Sequence, residues 1–270
     1  MAQPVNRKMR FQFENCLVYC NAKAVDSFWD EHWSELDLEK LLASPRSAMV
    51  ESVTQHYLPQ GSLVIEGGCG PALTVEALRE RGYLGVGIDF ASKTLHRVKR
   101  IRPEAILTEG DVFSLPFKGG VADGYWSLGV IEHFIEGYAP IINEAARVVK
   151  PGGLLFLTFP YMSPLRRLKV RLSLFPRLES LQLPDNLEFY QFALPQVEVT
   201  ALLRQSGFTI ITSKPYDGLK GLKDEVTFLS PLLGKIYNSN SVLGKIVRRI
   251  LNILTVPFSG HILLIVAKRN

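Results

Sequence analysis

Residues 62–70 read Ser-Leu-Val-Ile-Glu-Gly-Gly-Cys-Gly, an apolar, β-branched run that ends in an acidic residue and a glycine-rich turn. This composition predicts a short buried strand followed by a tight turn. Residues 73–81 then have helical spacing and end at Gly82, so the turn opens a helix. Strand, turn and helix in this order form the first half of a βαβ unit.

The same alternation of strand and helix continues downstream. It predicts strands over 84–89, 105–108, 122–130 and 154–159, and helices over 92–102 and 139–150. Strands that alternate with helices of about a dozen residues predict a parallel sheet with helices on both faces. The predicted class is therefore α/β.

The flanking segments have a different character. Residues 1–60 predict an N-terminal segment of amphipathic helices, and residues 61–270 form the main domain. Within that domain, segments 161–195 and 215–260 are basic and irregular, and we interpret them as two insertions that form a cap over the strand ends. Between and after them, the sequence predicts a helix over 197–207 and strands over 208–213 and 261–268.

Composition excludes several classes of protein. The 270 residues are 47% hydrophobic and 21% charged, which excludes a disordered tail or a collagen. Cys16, Cys20 and Cys69 are too few and too scattered for a disulfide scaffold, and no metal site is predicted. No apolar leader follows the basic start, so we expect a cytoplasmic protein.

The net charge of +5 is concentrated in patches rather than spread over the chain. No acidic residue follows Glu225, and a helical pattern over 244–254 alternates basic and apolar positions. This pattern predicts either a helix with a solvated basic face or a helix in peripheral contact with an anionic membrane. No aromatic platform accompanies it, so we predict no nucleic-acid partner. Asn252, Pro257 and Gly260 interrupt the apolar C-terminal stretch, so we do not predict a transmembrane segment.

Acidic residues end the first three predicted strands. Glu66 precedes the glycine turn, Asp89 ends the second strand, and Asp111 follows the third. Ligands of open parallel sheets bind beyond the carboxyl ends of the strands, where an acid accepts hydrogen bonds from ribose hydroxyls. The glycine turn also presents backbone N–H groups to an anion. Each feature alone has a structural explanation, as a turn or a helix cap, but together they predict a nucleoside site.

These motifs in this order resemble the class I S-adenosylmethionine-dependent methyltransferases, in particular the small-molecule branch with the ubiquinone and menaquinone biosynthesis enzymes. The resemblance is carried mainly by residues 60–160. Its motifs are 64–70, 87–89, 110–111, 122–133 and 144–153. It implies a three-layer Rossmann-like sandwich with a mostly parallel seven-stranded sheet whose last strand is antiparallel. It also implies methyl transfer from S-adenosyl-L-methionine to a small-molecule or lipid-linked acceptor, at oxygen.

The resemblance also implies roles for individual residues. The loop that binds the methionine part would consist of Glu66, Gly67, Gly68, Cys69 and Gly70. Asp89 and Phe90 would hold the ribose, Asp111 and Val112 would meet the adenine, and Ser127 and Leu128 would line the floor beside the sulfonium. The chain departs from the family in having Ala72 where a glycine is usual, from which we expect a tighter loop.

His133 is the candidate catalytic residue, because an imidazole near the acceptor can take a proton from a hydroxyl. The alternative is that Glu132 and His133 only shape the pocket. Two other functions stay open. One is a non-catalytic binding module of the same fold. The other is a nicotinamide-dependent oxidoreductase, although Leu73 stands where the dinucleotide fingerprint needs its third glycine.

Overall fold

The computed structural model describes residues 9–22, 33, 37–43, 48–183 and 185–270. The strands in this part of the chain are β1 (Met9–Phe13), β2 (Cys16–Ala22), β3 (Leu63–Gly67), β4 (Leu84–Asp89), β5 (Ile106–Glu109), β6 (Ala122–Leu128), β7 (Val149–Pro160), β8 (Leu187–Ala193), β9 (Phe208–Tyr216) and β10 (Ile262–Arg269). The α-helices are α1 (Leu38–Ala43), α2 (Ala48–Tyr57), α3 (Leu73–Glu80), α4 (Ser92–Ile101), α5 (Ala139–Val148), α6 (Pro164–Arg171), α7 (Gln196–Gln205), α8 (Gly218–Glu225), α9 (Ser230–Tyr237) and α10 (Val242–Ser259).

Seven strands form the central sheet in the order β5-β4-β3-β6-β7-β10-β9. The pairs from β5 to β7 are parallel, whereas β10 is antiparallel to both β7 and β9. This confirms the predicted Rossmann-like sheet with an antiparallel last strand. The strand order reverses between β3 and β6, and ligands of open α/β sheets bind at the carboxyl ends beside such a reversal.

Aromatic packing attaches α2 to one face of this sheet. Trp126 on β6 stacks on Phe156 of β7 with ring centroids 4.6 Å apart. The indole N–H of Trp126 donates to Thr54 Oγ1 on α2 at 3.0 Å, so the buried indole keeps a hydrogen-bond partner. The sheet and the segment before it thus share one core.

The prediction that residues 1–60 are helical is wrong for residues 9–22. These residues form an antiparallel β1-β2 hairpin, and β2 pairs with β8 to give a separate three-stranded sheet. Leu17, Val18 and Cys20 are fully buried, so the apolar run in β2 fills a core on pairing with a distant strand. Residues 38–43 and 48–57 are helical as predicted. Residues 23–32, 34–36 and 44–47, part of the same prediction, lie outside the described residues.

A buried ion cluster joins the two insertions to the hairpin. The Glu225 carboxylate on α8 lies 3.0 Å from Arg166 Nε, 2.9 Å from Lys169 Nζ and 2.9 Å from Arg10 Nη1. Arg166 also donates to the Tyr161 carbonyl oxygen at 2.7 Å. These contacts fix α6, α8 and β1 against one another. Among the described residues, no helix combines the length and apolar character needed to cross a bilayer.

Candidate active site

A cleft of about 450 Å³ opens at the carboxyl ends of β3, β4 and β6. Its walls come from the β3–α3 loop, the end of β4, the segment after β6, and three side chains from distant segments. The lining residues are Trp33, Leu41, Glu66, Gly68, Cys69, Gly70, Pro71, Leu73, Thr74, Asp89, Phe90, Leu128, Gly129, Val130, His133, Phe134 and Tyr190. The cleft therefore lies where the strand order predicted a ligand.

The glycines of the β3–α3 loop are required by its backbone. Gly68 and Gly70 have φ of 71° and 46°, in the left-handed region that favours glycine. A methyl group at Gly68 would lie 2.6 Å from Val130 Cγ2, and one at Gly70 would lie 3.0 Å from Trp33 Cζ2. Ala72, directly before α3, has φ 58° in the same left-handed region, which costs strain in a residue that has a side chain.

Asp89 holds the loop in place through its carboxylate. Oδ2 accepts a hydrogen bond from the Gly70 N–H at 2.7 Å, and Oδ1 accepts one from the Ala91 N–H at 2.8 Å. A carboxylate offers about four lone-pair positions. Two positions therefore remain for hydroxyl donors such as those of a ribose.

The loop amides are not directed at an anion, contrary to expectation. The N–H groups of Gly68 and Cys69 both donate to the Ile88 carbonyl oxygen, at 2.8 and 3.0 Å, and that of Gly70 donates to Asp89. A pyrophosphate would have to displace these bonds next to two acidic side chains. The arrangement thus argues against a dinucleotide.

Glu66 supplies a buried acid on the floor of the cleft. Burial raises its pKa to about 8, although hydrogen bonds from the Thr74 side chain and the Val75 backbone oppose the shift. Its Oε2 atom has no hydrogen-bond partner among the described residues. A buried polar atom without a partner is unusual in a folded protein. A ligand with an ammonium group would supply that partner, so this acid and the Asp89 carboxylate fit a cationic nucleoside.

His133 lies on the opposite wall, in a 3-10 turn over Ile131–His133. Its Nδ1 is 2.7 Å from the Tyr190 carbonyl oxygen. A carbonyl oxygen only accepts, so Nδ1 carries the proton, and Nε2 is the basic nitrogen of the neutral ring. Glu132 is buried and does not line the cleft, and burial raises its pKa to about 8.

Four predicted cofactor residues lie outside the cleft lining. Gly67 packs on the Tyr125 hydroxyl, with which a methyl group at this position would overlap. Val112 and Ser127 are buried. Asp111 is exposed and accepts a hydrogen bond from the Phe113 N–H at 2.9 Å, as in a turn. The cofactor roles of these four residues remain predictions.

Three lining residues from outside the loops that follow the central strands were not predicted from the sequence. Trp33 and Leu41 come from the segment before β3, and Tyr190 comes from β8 in the first insertion. Trp33 lies in segment 1–60, which the sequence assigned to amphipathic helices and not to the site. The first insertion contributes Tyr190 alone to the cleft lining, and the described residues of the second insertion contribute none, so the cap stays a prediction.

Comparisons with known proteins agree with this geometry. The family described as methyltransferase domain matches residues 65–157. A methyltransferase of unknown role from Mycobacterium sp. (strain JLS) is 31% identical over 121 residues, which cover 44% of this chain and 48% of that protein. A ubiquinone biosynthesis O-methyltransferase from Paracidovorax citrulli is 30% identical over 105 residues, 37% of this chain and 44% of that protein.

The fold is shared by solved structures of low sequence identity. The crystal structure of an S-adenosylmethionine-dependent methyltransferase from Methanosarcina mazei superposes with a TM-score of 0.55 at 16% identity, covering 80% of this chain and 96% of that one. The chain spans about half the length of the curated relatives it matches. The similarity is thus concentrated in the segment that builds the sheet and the cleft.

Proposed function

We propose that the chain is a class I S-adenosylmethionine-dependent methyltransferase that transfers a methyl group to an oxygen of a small-molecule or lipid-linked acceptor. The observation that carries this proposal is the convergence of Glu66, Gly70, Asp89 and His133 on one cleft. These residues come from three different strand ends. Their combination provides acids for a cationic nucleoside and a base for an acceptor.

The residues of the cleft fit S-adenosylmethionine. Glu66 would receive the ammonium group on its unpartnered Oε2 atom, and Asp89 would accept from the ribose hydroxyls. Gly68 and Gly70 leave room that a side chain would fill. When bound, S-adenosylmethionine supplies a methyl group on a sulfonium, which is already a good leaving group. The protein then mainly has to orient the acceptor and exclude water.

In this proposal, His133 acts on the acceptor. Its Nδ1–H bond to the Tyr190 carbonyl fixes the ring so that Nε2 is the proton acceptor. As the acceptor oxygen forms its bond to the methyl group, the hydroxyl proton moves to Nε2. The edge-to-face contact with the Tyr190 ring, at 5.2 Å between centroids, holds the imidazole in this orientation.

The character of the cleft and one relative support the acceptor class. Leu41, Leu128, Phe134 and Tyr190 give the cleft an apolar wall suited to an aromatic or isoprenoid group. The relative from Paracidovorax citrulli is described as an O-methyltransferase of ubiquinone biosynthesis. An acceptor that carries both a hydroxyl and an apolar group matches both observations.

Methyl transfer from S-adenosylmethionine with a labelled methyl group tests the proposal on a panel of phenols, carboxylic acids and amines. We expect transfer to hydroxyl acceptors. The kcat of the His133→Gln variant should be at least about a hundredfold lower. Cofactor affinity measured by calorimetry should not change in that variant. Transfer only to nitrogen would exclude the oxygen assignment, and an unchanged kcat in His133→Gln would exclude the base.

A further inference from the structure

Helix α10 is oriented with its apolar residues toward solvent. Leu254 is 69% exposed and Ile253 is 64% exposed. Further exposed apolar residues follow the same helical stripe. They are Val242, Leu243, Ile246, Ile250 and Phe258. A surface helix of a globular protein normally turns such a stripe toward the core, whereas α10 turns its stripe toward solvent.

The inward face of α10 makes specific polar contacts beside the half-buried Val247, Leu251 and Val256. Asn252 Oδ1 accepts from the Leu219 N–H at 3.2 Å, and the Ser259 hydroxyl donates to the Gly218 carbonyl oxygen at 2.8 Å. Gly218 and Gly221 on α8 allow the backbones to approach, because a methyl group at either position would overlap α10. Arg248 donates to the Tyr237 carbonyl oxygen at 2.9 Å. Specific contacts therefore fix the orientation of the helix.

The charge around the exposed stripe has one sign. Lys245 and Arg249, one helical turn apart, are exposed along one edge of it, and Lys235 and Arg248 lie in the same insertion. No acidic residue occurs after Glu225. A second copy of this surface would meet it with like charge, whereas an anionic lipid surface complements both its charge and its apolar stripe.

We infer that α10 lies in the plane of an anionic membrane surface, with its Ile and Leu side chains in the lipid and its basic residues at the headgroups. The solvent exposure of the apolar stripe supports this inference. The inference does not depend on methyl transfer. The protein would bind the membrane peripherally and reversibly. A lipid-linked acceptor would then be reached at the membrane in which it is dissolved.

Vesicle sedimentation tests the apolar part of the inference. The full chain should bind vesicles of phosphatidylcholine with phosphatidylglycerol and should bind pure phosphatidylcholine poorly. The double variant Ile246→Ser with Ile250→Ser should bind about tenfold more weakly. Leu84→Ser with Ile106→Ser is the matched control, because these side chains are equally exposed but lie on the central sheet.

A second pair of variants tests the charges. Lys245→Gln with Arg249→Gln should weaken binding to the anionic vesicles about tenfold. The control is Lys99→Gln with Arg100→Gln, an exposed pair on α4. Equal binding by all variants would overturn the inference. So would absence of binding to the anionic vesicles, or a dimer in sedimentation equilibrium that the Ile246→Ser with Ile250→Ser variant dissociates.

Discussion

At the scale of single residues, Glu66 determines how the cleft responds to pH. Its pKa of about 8 means that it carries a proton near neutral pH while the cleft is empty. A cationic ligand favours the ionised carboxylate, because opposite charges at short range stabilise each other. Binding below about pH 8 should therefore release a proton from Glu66.

The expected result is an affinity for S-adenosylmethionine that rises with pH until the pKa of Glu66, about 8, is passed. The slope should be at most about tenfold per pH unit, since one proton is released. Glu66→Gln should bind more weakly and lose this pH dependence. Calorimetry in two buffers of different ionisation enthalpy counts the protons. Uptake of a proton on cofactor binding to the native chain, or no change in the number of bound protons, would contradict the role of Glu66.

At the scale of elements, the buried ion cluster is the strongest constraint on the insertions. Burial raises the pKa of Glu225, but Arg166, Arg10 and Lys169 outweigh it, so the pKa lies below its usual value. A carboxyl whose pKa is lower in the folded state stabilises the protein above its unfolded pKa. This contribution disappears as the pH falls through the folded pKa.

Glu225→Gln should lower the free energy of unfolding by about 3–5 kcal/mol, because it leaves the buried Arg166 without its anion. Denaturant titration near neutral pH measures the loss, which should shrink in acid. Glu51→Gln is the matched control. It breaks an ion pair with the half-exposed Arg81, which is expected to contribute less than about 1 kcal/mol. Equal losses of unfolding free energy in the two variants would refute the role of Glu225 as the stabilising anion of the buried cluster.

Local sequence patterns were sufficient to predict the strands of the central sheet, but they were insufficient to predict the β1-β2 hairpin. Strands β3 to β6 are short apolar runs that end at, or directly before, a glycine or an acid, so their type and end are visible in sequence. The β1-β2 hairpin depends on β8 as a partner, which lies far away along the chain. The apolar run in β2 also fits a buried helix by composition alone, so periodicity could not distinguish the two.

The site residues differ in the same way, because some follow from local sequence patterns and others depend on distant segments. Glu66 and Asp89 were predicted because each ends a strand, and parallel strands bring their carboxyl ends to one edge. Trp33 and Tyr190 reach the cleft from segments outside the parallel sheet. No spacing in the sequence indicates which of many aromatic residues will fold back to this edge.

At the scale of the whole molecule, the two proposed sites lie on different surfaces. The cleft at the strand ends combines acids and a histidine, whereas the exposed stripe of α10 lies on the second insertion. Variants on α10 should therefore change vesicle binding without changing cofactor affinity. The central claim concerns the cleft.

Calorimetry with S-adenosylmethionine tests that claim most directly, with thermal unfolding as a check that each variant is folded. The account predicts one site per chain and an affinity at least about a hundredfold weaker in Asp89→Ala, because two charged hydrogen bonds to the ribose are lost. No binding at millimolar cofactor, or an unchanged affinity in a folded Asp89→Ala variant, would contradict it.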